Sequence, residues 1–152
     1  MFQSLTIERI IPDLRAAGKK DALQTLAALA SSTCPSCGSA EEIFAVLFER
    51  EQIGTTAIGD GVAIPHGKIA QLDRIEIFFA RSPHGVPFAA TDSKPVHLFF
   101  VLLAPAESAG PYLKTLATLA RFLKSSHVRS QLQNAESREE LAAIFASARE
   151  FR

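Results

Sequence analysis

The stretch Val96-His97-Leu98-Phe99-Phe100-Val101-Leu102-Leu103 decides the fold. Apart from His97 it is apolar throughout, so as a strand it sends hydrophobic side chains to both faces of a sheet. Such a strand is central, and helices must cover the sheet on both sides. Neighbouring strands are offered by Ile75 to Ala80, where Ile75, Ile77 and Phe79 alternate, and by the short run Val86 to Ala89. Helices stand on either side in sequence. Asp21 to Ala30 carries Ala22, Leu23, Leu26, Ala27 and Ala30 at helical spacing and stops at Ser31-Ser32. Ser39 and Glu42 form a capping box that opens a second helix from Ala40 to about Arg50, with Ile43, Val46 and Leu47 as its buried stripe. After the long strand, Pro111 suits a first helical turn, and Leu113, Leu116, Leu119, Ala120 and Leu123 extend that helix to about Lys124. A short helical piece around Val128 to Leu132 follows. Ser137 and Glu140 then cap a terminal helix bearing Leu141, Ile144, Phe145 and Ala148. The chain before Asp21 reads as irregular. The expected architecture is α/β: a three-layer α/β/α single domain over residues 1–152, with a mixed central sheet covered by helices on both faces.

Composition narrows the function classes. Lys plus Arg number 16 and Asp plus Glu number 16, a net charge of zero that leaves no footprint for a phosphate backbone. Nucleic acid is therefore not an expected partner. The longest apolar run, Leu98 to Ala104, has about a third of the length a membrane span needs. Met1-Phe2-Gln3-Ser4-Leu5 lacks the basic start and apolar stretch of a secretory signal, so a cytoplasmic protein without membrane insertion is expected.

Four of the eight glycines, Gly54, Gly59, Gly61 and Gly67, fall within the segment from Gly54 to Lys68, around the apolar run Val62-Ala63-Ile64. The end of this segment superficially resembles a phosphate-binding P-loop. Five residues rather than four separate Gly61 from Gly67, however, and Ile69 stands where Ser or Thr would hold magnesium. Pro65 fixes its own φ, biases Ile64 toward an extended conformation, and so presents His66 from the end of a strand, with Gly67 expected to leave one flank of the ring open. A neutral imidazole is a nucleophile toward phosphorus once its other nitrogen is held as N–H. The resulting adduct would carry about two negative charges and would need a cation and hydrogen-bond donors. Arg50, at the end of the preceding helix, has the planar fork that matches phosphate oxygens, while Thr55, Thr56 and the amides of the glycine-rich loop are candidate donors. A histidine that merely packs or caps a turn is the competing reading. His84, His97 and His127 show no partner in the sequence.

The segment Glu51 to Gly67, with Ile58-Gly59-Asp60-Gly61-Val62-Ala63-Ile64-Pro65-His66-Gly67, resembles the phosphorylation-site signature of enzyme IIA of the bacterial phosphotransferase system, fructose/mannitol type. The resemblance extends to Arg50, to Asp92-Ser93-Lys94-Pro95-Val96 and to Leu113-Lys114-Thr115-Leu116-Ala117, and a free-standing chain of this length is most similar to the nitrogen-regulatory enzyme IIA. It implies that His66 is the phosphoryl acceptor, forming a covalent phosphohistidine, and that Arg50 sits against the phosphate. The donor implied is an HPr-like phosphocarrier protein. Regulatory targets, of which sensor kinases and potassium transport proteins are examples, would be bound according to phosphorylation state. No cofactor or metal is implied. Alternatives are a sugar-specific enzyme IIA that passes phosphate to a separate IIB subunit, and a purely regulatory binding module. Where relatives commonly carry a second histidine this sequence has Tyr112, followed by Leu113 and Lys114, which makes Tyr112 and Lys114 candidate phosphate-binding groups. Asp60 stands where relatives often have asparagine and is expected to face solvent or cap a turn.

Cys34-Pro35-Ser36-Cys37 has the spacing of half a zinc site or of a dithiol redox site. No second ligand pair accompanies it, and it follows a helix rather than a strand. The expectation is a turn holding two reduced thiols, with metal or redox chemistry as the alternative.

Overall fold

The computed structural model describes residues 2–148. In chain order the elements are β1 (Ile10–Ile11), α1 (Lys19–Thr33), α2 (Ala40–Ile53), β2 (Ala57–Gly59), β3 (Val62–Ala63), β4 (His66–Lys68), β5 (Glu76–Val86), β6 (Val96–Ala104), α3 (Ala109–Lys124), α4 (Ser126–Asn134) and α5 (Arg138–Ser147). The long apolar strand β6 is central. It pairs antiparallel with β5, Phe79 facing Phe100 and Ile77 facing Leu102, and parallel with both β3 and β4 on its other side. The sheet runs β1-β5-β6-β3-β2, and β4 continues along β6 beyond β3. Pro65 divides β3 from β4 because it has no N–H for the ladder, although its carbonyl still accepts from the Leu102 amide at 3.0 Å.

Alternation along β6 builds two cores. Phe99, Val101 and Leu103 pack with Leu23 and Leu26 of α1 and with Ile43 and Leu47 of α2. Leu98, Phe100 and Leu102 pack with Leu119 and Phe122 of α3, Leu132 of α4, and Leu141 and Phe145 of α5. Phe78, Phe79, Phe99 and Phe100 are fully buried, and at about 1.5 to 3 kcal/mol for each such side chain neither helical layer can be stripped away cheaply. The three-layer α/β/α arrangement with a mixed sheet is the one expected. No helix among the described residues is long and apolar enough to cross a membrane.

Several local expectations are corrected. Val86 to Ala89 is not a strand of its own: β5 reaches Val86 through a register shift, and beyond it Pro87 lacks a donor while Ala89 adopts φ 53°. The start of the chain is ordered, with 3-10 turns at Phe2–Ser4 and Ile7–Arg9 and strand β1 parallel to β5. Phe2 packs against Phe100, Phe122 and Phe145, a contact between chain ends that no local periodicity signals. The capping box at Ser39 closes in both directions, and α2 continues past Arg50 to Ile53. At α5 only half the box forms, because the Glu140 carboxylate accepts from the Glu136 amide at 2.9 Å. Cys34 and Cys37 are joined by a disulfide and are not free thiols; the tight 3-10 turn Pro35–Cys37 brings their Cα atoms to 5.4 Å.

Helix α2 lies directly on β4 at Gly67, where an added Cβ would run into Val46 Cγ1. The glycine is thus required by packing against the helix, a role the sequence pattern did not signal. Gly67→Ala should lower stability by about 1 to 3 kcal/mol through overpacking, and Val46→Ala in the same chain should restore part of the loss. Urea unfolding of both variants checks this; equal losses in the single and double variants would show that Val46 is not the obstacle.

Candidate functional site

Three elements converge at the edge of the sheet formed by β4. His66 opens that strand, Arg50 comes from the last turns of α2, and Tyr112 from the first turn of α3. His66 Nδ1 lies 2.7 Å from the Ile64 carbonyl, which can only accept, so Nδ1 carries the proton. Nε2 is then the bare nitrogen. The Arg50 Nε–H donates to it at 3.2 Å, while Arg50 Nη1 donates to the Gly54 carbonyl at 2.9 Å and so holds the guanidinium to the turn after its own helix. Tyr112 meets the imidazole edge to face, ring centroids 5.7 Å apart, and Lys68 Nζ lies 5.6 Å from the centroid of the Tyr112 ring.

Burial pushes the His66 imidazole below the ordinary histidine range; the Ile64 carbonyl opposes this, the Arg50 charge reinforces it, and Glu51 opposes it more weakly. The net effect favours a neutral ring with Nε2 available as a nucleophile at neutral pH. Burial also raises the Tyr112 hydroxyl above its ordinary range, against a smaller opposing effect of Arg50, so that phenol keeps its proton.

Glu51 is a residue of the site's surroundings that sequence reasoning missed. It is buried, and its carboxylate accepts from the Thr56 amide at 2.8 Å, from the Thr56 hydroxyl, and from Lys19 Nζ at 2.9 Å. The Thr56 carbonyl in turn accepts from the Ile64 amide at 3.0 Å, and the Ile64 carbonyl accepts from His66 Nδ1. One connected run of bonds therefore leads from Lys19 to the imidazole. The available signal was an acidic residue directly after Arg50, at a position that proves to face inward.

Of the other candidates, Thr56 is buried with its hydroxyl committed to Glu51, and the Thr55 hydroxyl accepts from the Ala57 amide at 3.1 Å. Both threonines shape the loop before β2. Lys114 is exposed on α3, and Lys68 is the lysine that the structure places at the Tyr112 ring. Asp60 faces solvent at the β2–β3 turn with φ 56°, its carboxylate 3.9 Å from Arg129 Nη1. Away from the site, His84 and His127 are exposed. His97 has a partner after all, since its Nδ1 lies 2.8 Å from the Ser82 carbonyl.

Residues 3–148 fit the model of the phosphoenolpyruvate-dependent sugar phosphotransferase system, EIIA 2, and the chain belongs to that family. Among its relatives is the nitrogen regulatory protein of Bradyrhizobium diazoefficiens, 40% identical over 139 residues that cover 91% of this chain and 90% of the relative. A fructose-specific EIIA component of Haloferax volcanii is 39% identical over 100 residues, 66% of this chain and 65% of that one. The crystal structure of the nitrogen regulatory protein IIA-Ntr from Neisseria meningitidis superposes with a TM-score of 0.87 at 35% identity, covering 94% of this chain and 97% of that one. The family and these relatives support a phosphotransferase-system phosphocarrier role.

Because the folded chain binds the His66 proton less readily than the unfolded chain, stability should rise with pH across the window between the depressed and the ordinary histidine values. Above that window this group should have no further effect. His66→Gln should remove that increment from the pH profile of urea midpoints, and Glu51→Gln should move the His66 titration, followed by NMR, to lower pH. A His66 midpoint unmoved in Glu51→Gln would limit Glu51 to a folding role.

Proposed function

We propose that His66 Nε2 accepts a phosphoryl group from the phosphohistidine of an HPr-like carrier, and that the phosphorylation state then governs binding to regulatory partners. The observation that carries this reading is the division of labour on one ring: Nδ1–H held by the Ile64 carbonyl, and Nε2 turned toward the Arg50 guanidinium. In the transfer the N–P bond of the donor imidazole breaks as the Nε2–P bond forms. His66 keeps its proton on Nδ1, so the phosphorylated ring becomes cationic, a state that the Ile64 carbonyl and the nearby Glu51 charge favour. Arg50 exchanges a ring nitrogen for a phosphoryl oxygen and compensates charge where it appears. Transfer between two imidazoles is nearly balanced in energy, so alignment and charge screening are all the site has to supply.

The surface around the site suits such a donor. Ile53, Ile58 and Leu113 are exposed by 81%, 48% and 65%. Ile53 lies on α2 one turn past Arg50, Leu113 follows Tyr112 on α3, and Ile58 sits in β2 of the hairpin that leads to His66. An apolar rim around a charged centre fits transient docking by a protein of mixed charge, in keeping with the zero net charge of this chain. The nitrogen-regulatory relatives favour the regulatory reading over onward transfer to a sugar-specific IIB subunit.

Incubation with phosphoenolpyruvate and the upstream carriers should label the chain once, through a bond that survives alkali and breaks in acid. Label that persists in His66→Ala would refute the assignment. Arg50→Ala should fold normally and be labelled about 10 to 1000 times more slowly, with Arg50→Lys intermediate. Tyr112→Phe keeps the ring edge against His66 but removes its hydroxyl, and should shift the transfer equilibrium about tenfold against the phosphorylated form. An unchanged equilibrium would reduce Tyr112 to a ring that shields the imidazole.

A further inference from the structure

We propose that Cys34 and Cys37 form a reversible thiol–disulfide site whose oxidant is a low-molecular-weight disulfide of the glutathione class. The pair takes no part in the phosphoryl site, and the inference does not rest on that reading. The two residues are joined in the structure, with Cα atoms 5.4 Å apart, inside the separation a disulfide tolerates. Among the described residues they belong to no group of three His, Cys, Asp or Glu that could hold a metal ion.

The backbone of the turn is held by bonds other than the cross-link. The Cys34 amide donates to the Ala30 carbonyl at 2.9 Å, closing α1, and the Cys37 amide donates to the Cys34 carbonyl at 2.9 Å. Pro35 fixes its own φ at the first position of the 3-10 turn, and Gly38 supplies the φ of 103° needed to leave it. The reduced and oxidised forms can therefore share one backbone, and reduction need not unfold the turn. A ring closed over so few residues also removes less unfolded-chain entropy than a long loop would, so the bond is poorly placed as a permanent staple.

Both cysteines are buried, and Cys34 Sγ is the one with the Ser36 hydroxyl, a donor for a thiolate, 3.5 Å away. Cys34 is accordingly the first nucleophile. Its thiolate attacks one sulfur of oxidised glutathione, the S–S bond of glutathione breaks, and one glutathione thiolate leaves with a mixed disulfide at Cys34. The Cys37 thiolate then attacks Cys34 Sγ and expels the second glutathione thiolate. Two electrons pass from the cysteine pair to glutathione, and the two cysteine protons end on the two glutathione thiols. Because Cys34 is only 2% exposed, the reagent enters when the turn opens, which makes exchange slow.

The test uses the whole chain, equilibrated without oxygen in mixtures of reduced and oxidised glutathione, quenched in acid, unfolded and alkylated with N-ethylmaleimide before intact-mass measurement. The expected result is that a two-thiol and a no-thiol species interconvert, passing from one-tenth to nine-tenths oxidised over about two decades of the ratio of oxidised glutathione to the square of reduced glutathione. The same distribution should be reached from the reduced and from the oxidised side. Far-UV circular dichroism of the two end states should coincide. Two free thiols at every ratio would overturn the proposal, as would a disulfide that reduced glutathione never opens in the native chain. Loss of helix on reduction would overturn the shared backbone. Cys37→Ala should stop at the mixed disulfide, and the wild-type titration decides the matter if that variant fails to fold.

Discussion

Helix α2 can lie on β4 only because Gly67 has no side chain where Val46 must sit. That contact fixes the distance between the helix and the strand that opens with His66, and so determines whether Arg50, one turn beyond Val46, can reach the imidazole. A longer separation would leave the guanidinium in solvent, where it would be worth little to a developing phosphoryl charge. The glycine thus sets the geometry of the site from one residue beyond the nucleophile.

The same helix contributes to the loop that follows it. Buried Glu51 gathers the Thr56 amide, the Thr56 hydroxyl and the Lys19 ammonium, and the strand pairing from Thr56 to Ile64 carries that constraint to the carbonyl that holds His66 Nδ1. A buried carboxylate is costly unless its oxygens are satisfied, and here the partners that satisfy it are also the ones that organise the site. Tautomer, ring direction and the position of Arg50 are consequences of one connected arrangement.

The electrostatics follow a single theme. Desolvation keeps the imidazole neutral, Arg50 faces the nitrogen that would gain a phosphoryl group, and Tyr112 covers the ring without adding a charge of its own at neutral pH. The apolar side chains around the centre lie on α2, β2 and α3, so the elements that position the chemistry also form the rim.

Residue pattern alone determined the broad architecture, because a strand apolar on both faces must be covered on both, and the helical patterns on either side of it in sequence supply the covers. It also marked Pro65-His66-Gly67 and the capping box of α2, since proline, glycine and cap residues act on their own backbone and need no distant partner. Tertiary structure decided what depends on distant partners. Phe2 is a core residue because Phe100, Phe122 and Phe145 surround it, and the buried Glu51 carboxylate is met by Lys19 from the start of another helix. Lys68, not Lys114, lies at Tyr112 because β4 and α3 converge there, and the purpose of Gly67 is visible only once Val46 is seen above it. Local conformational preference is a property of short sequence, whereas which side chain fills a gap or satisfies a buried charge is a property of the packed chain.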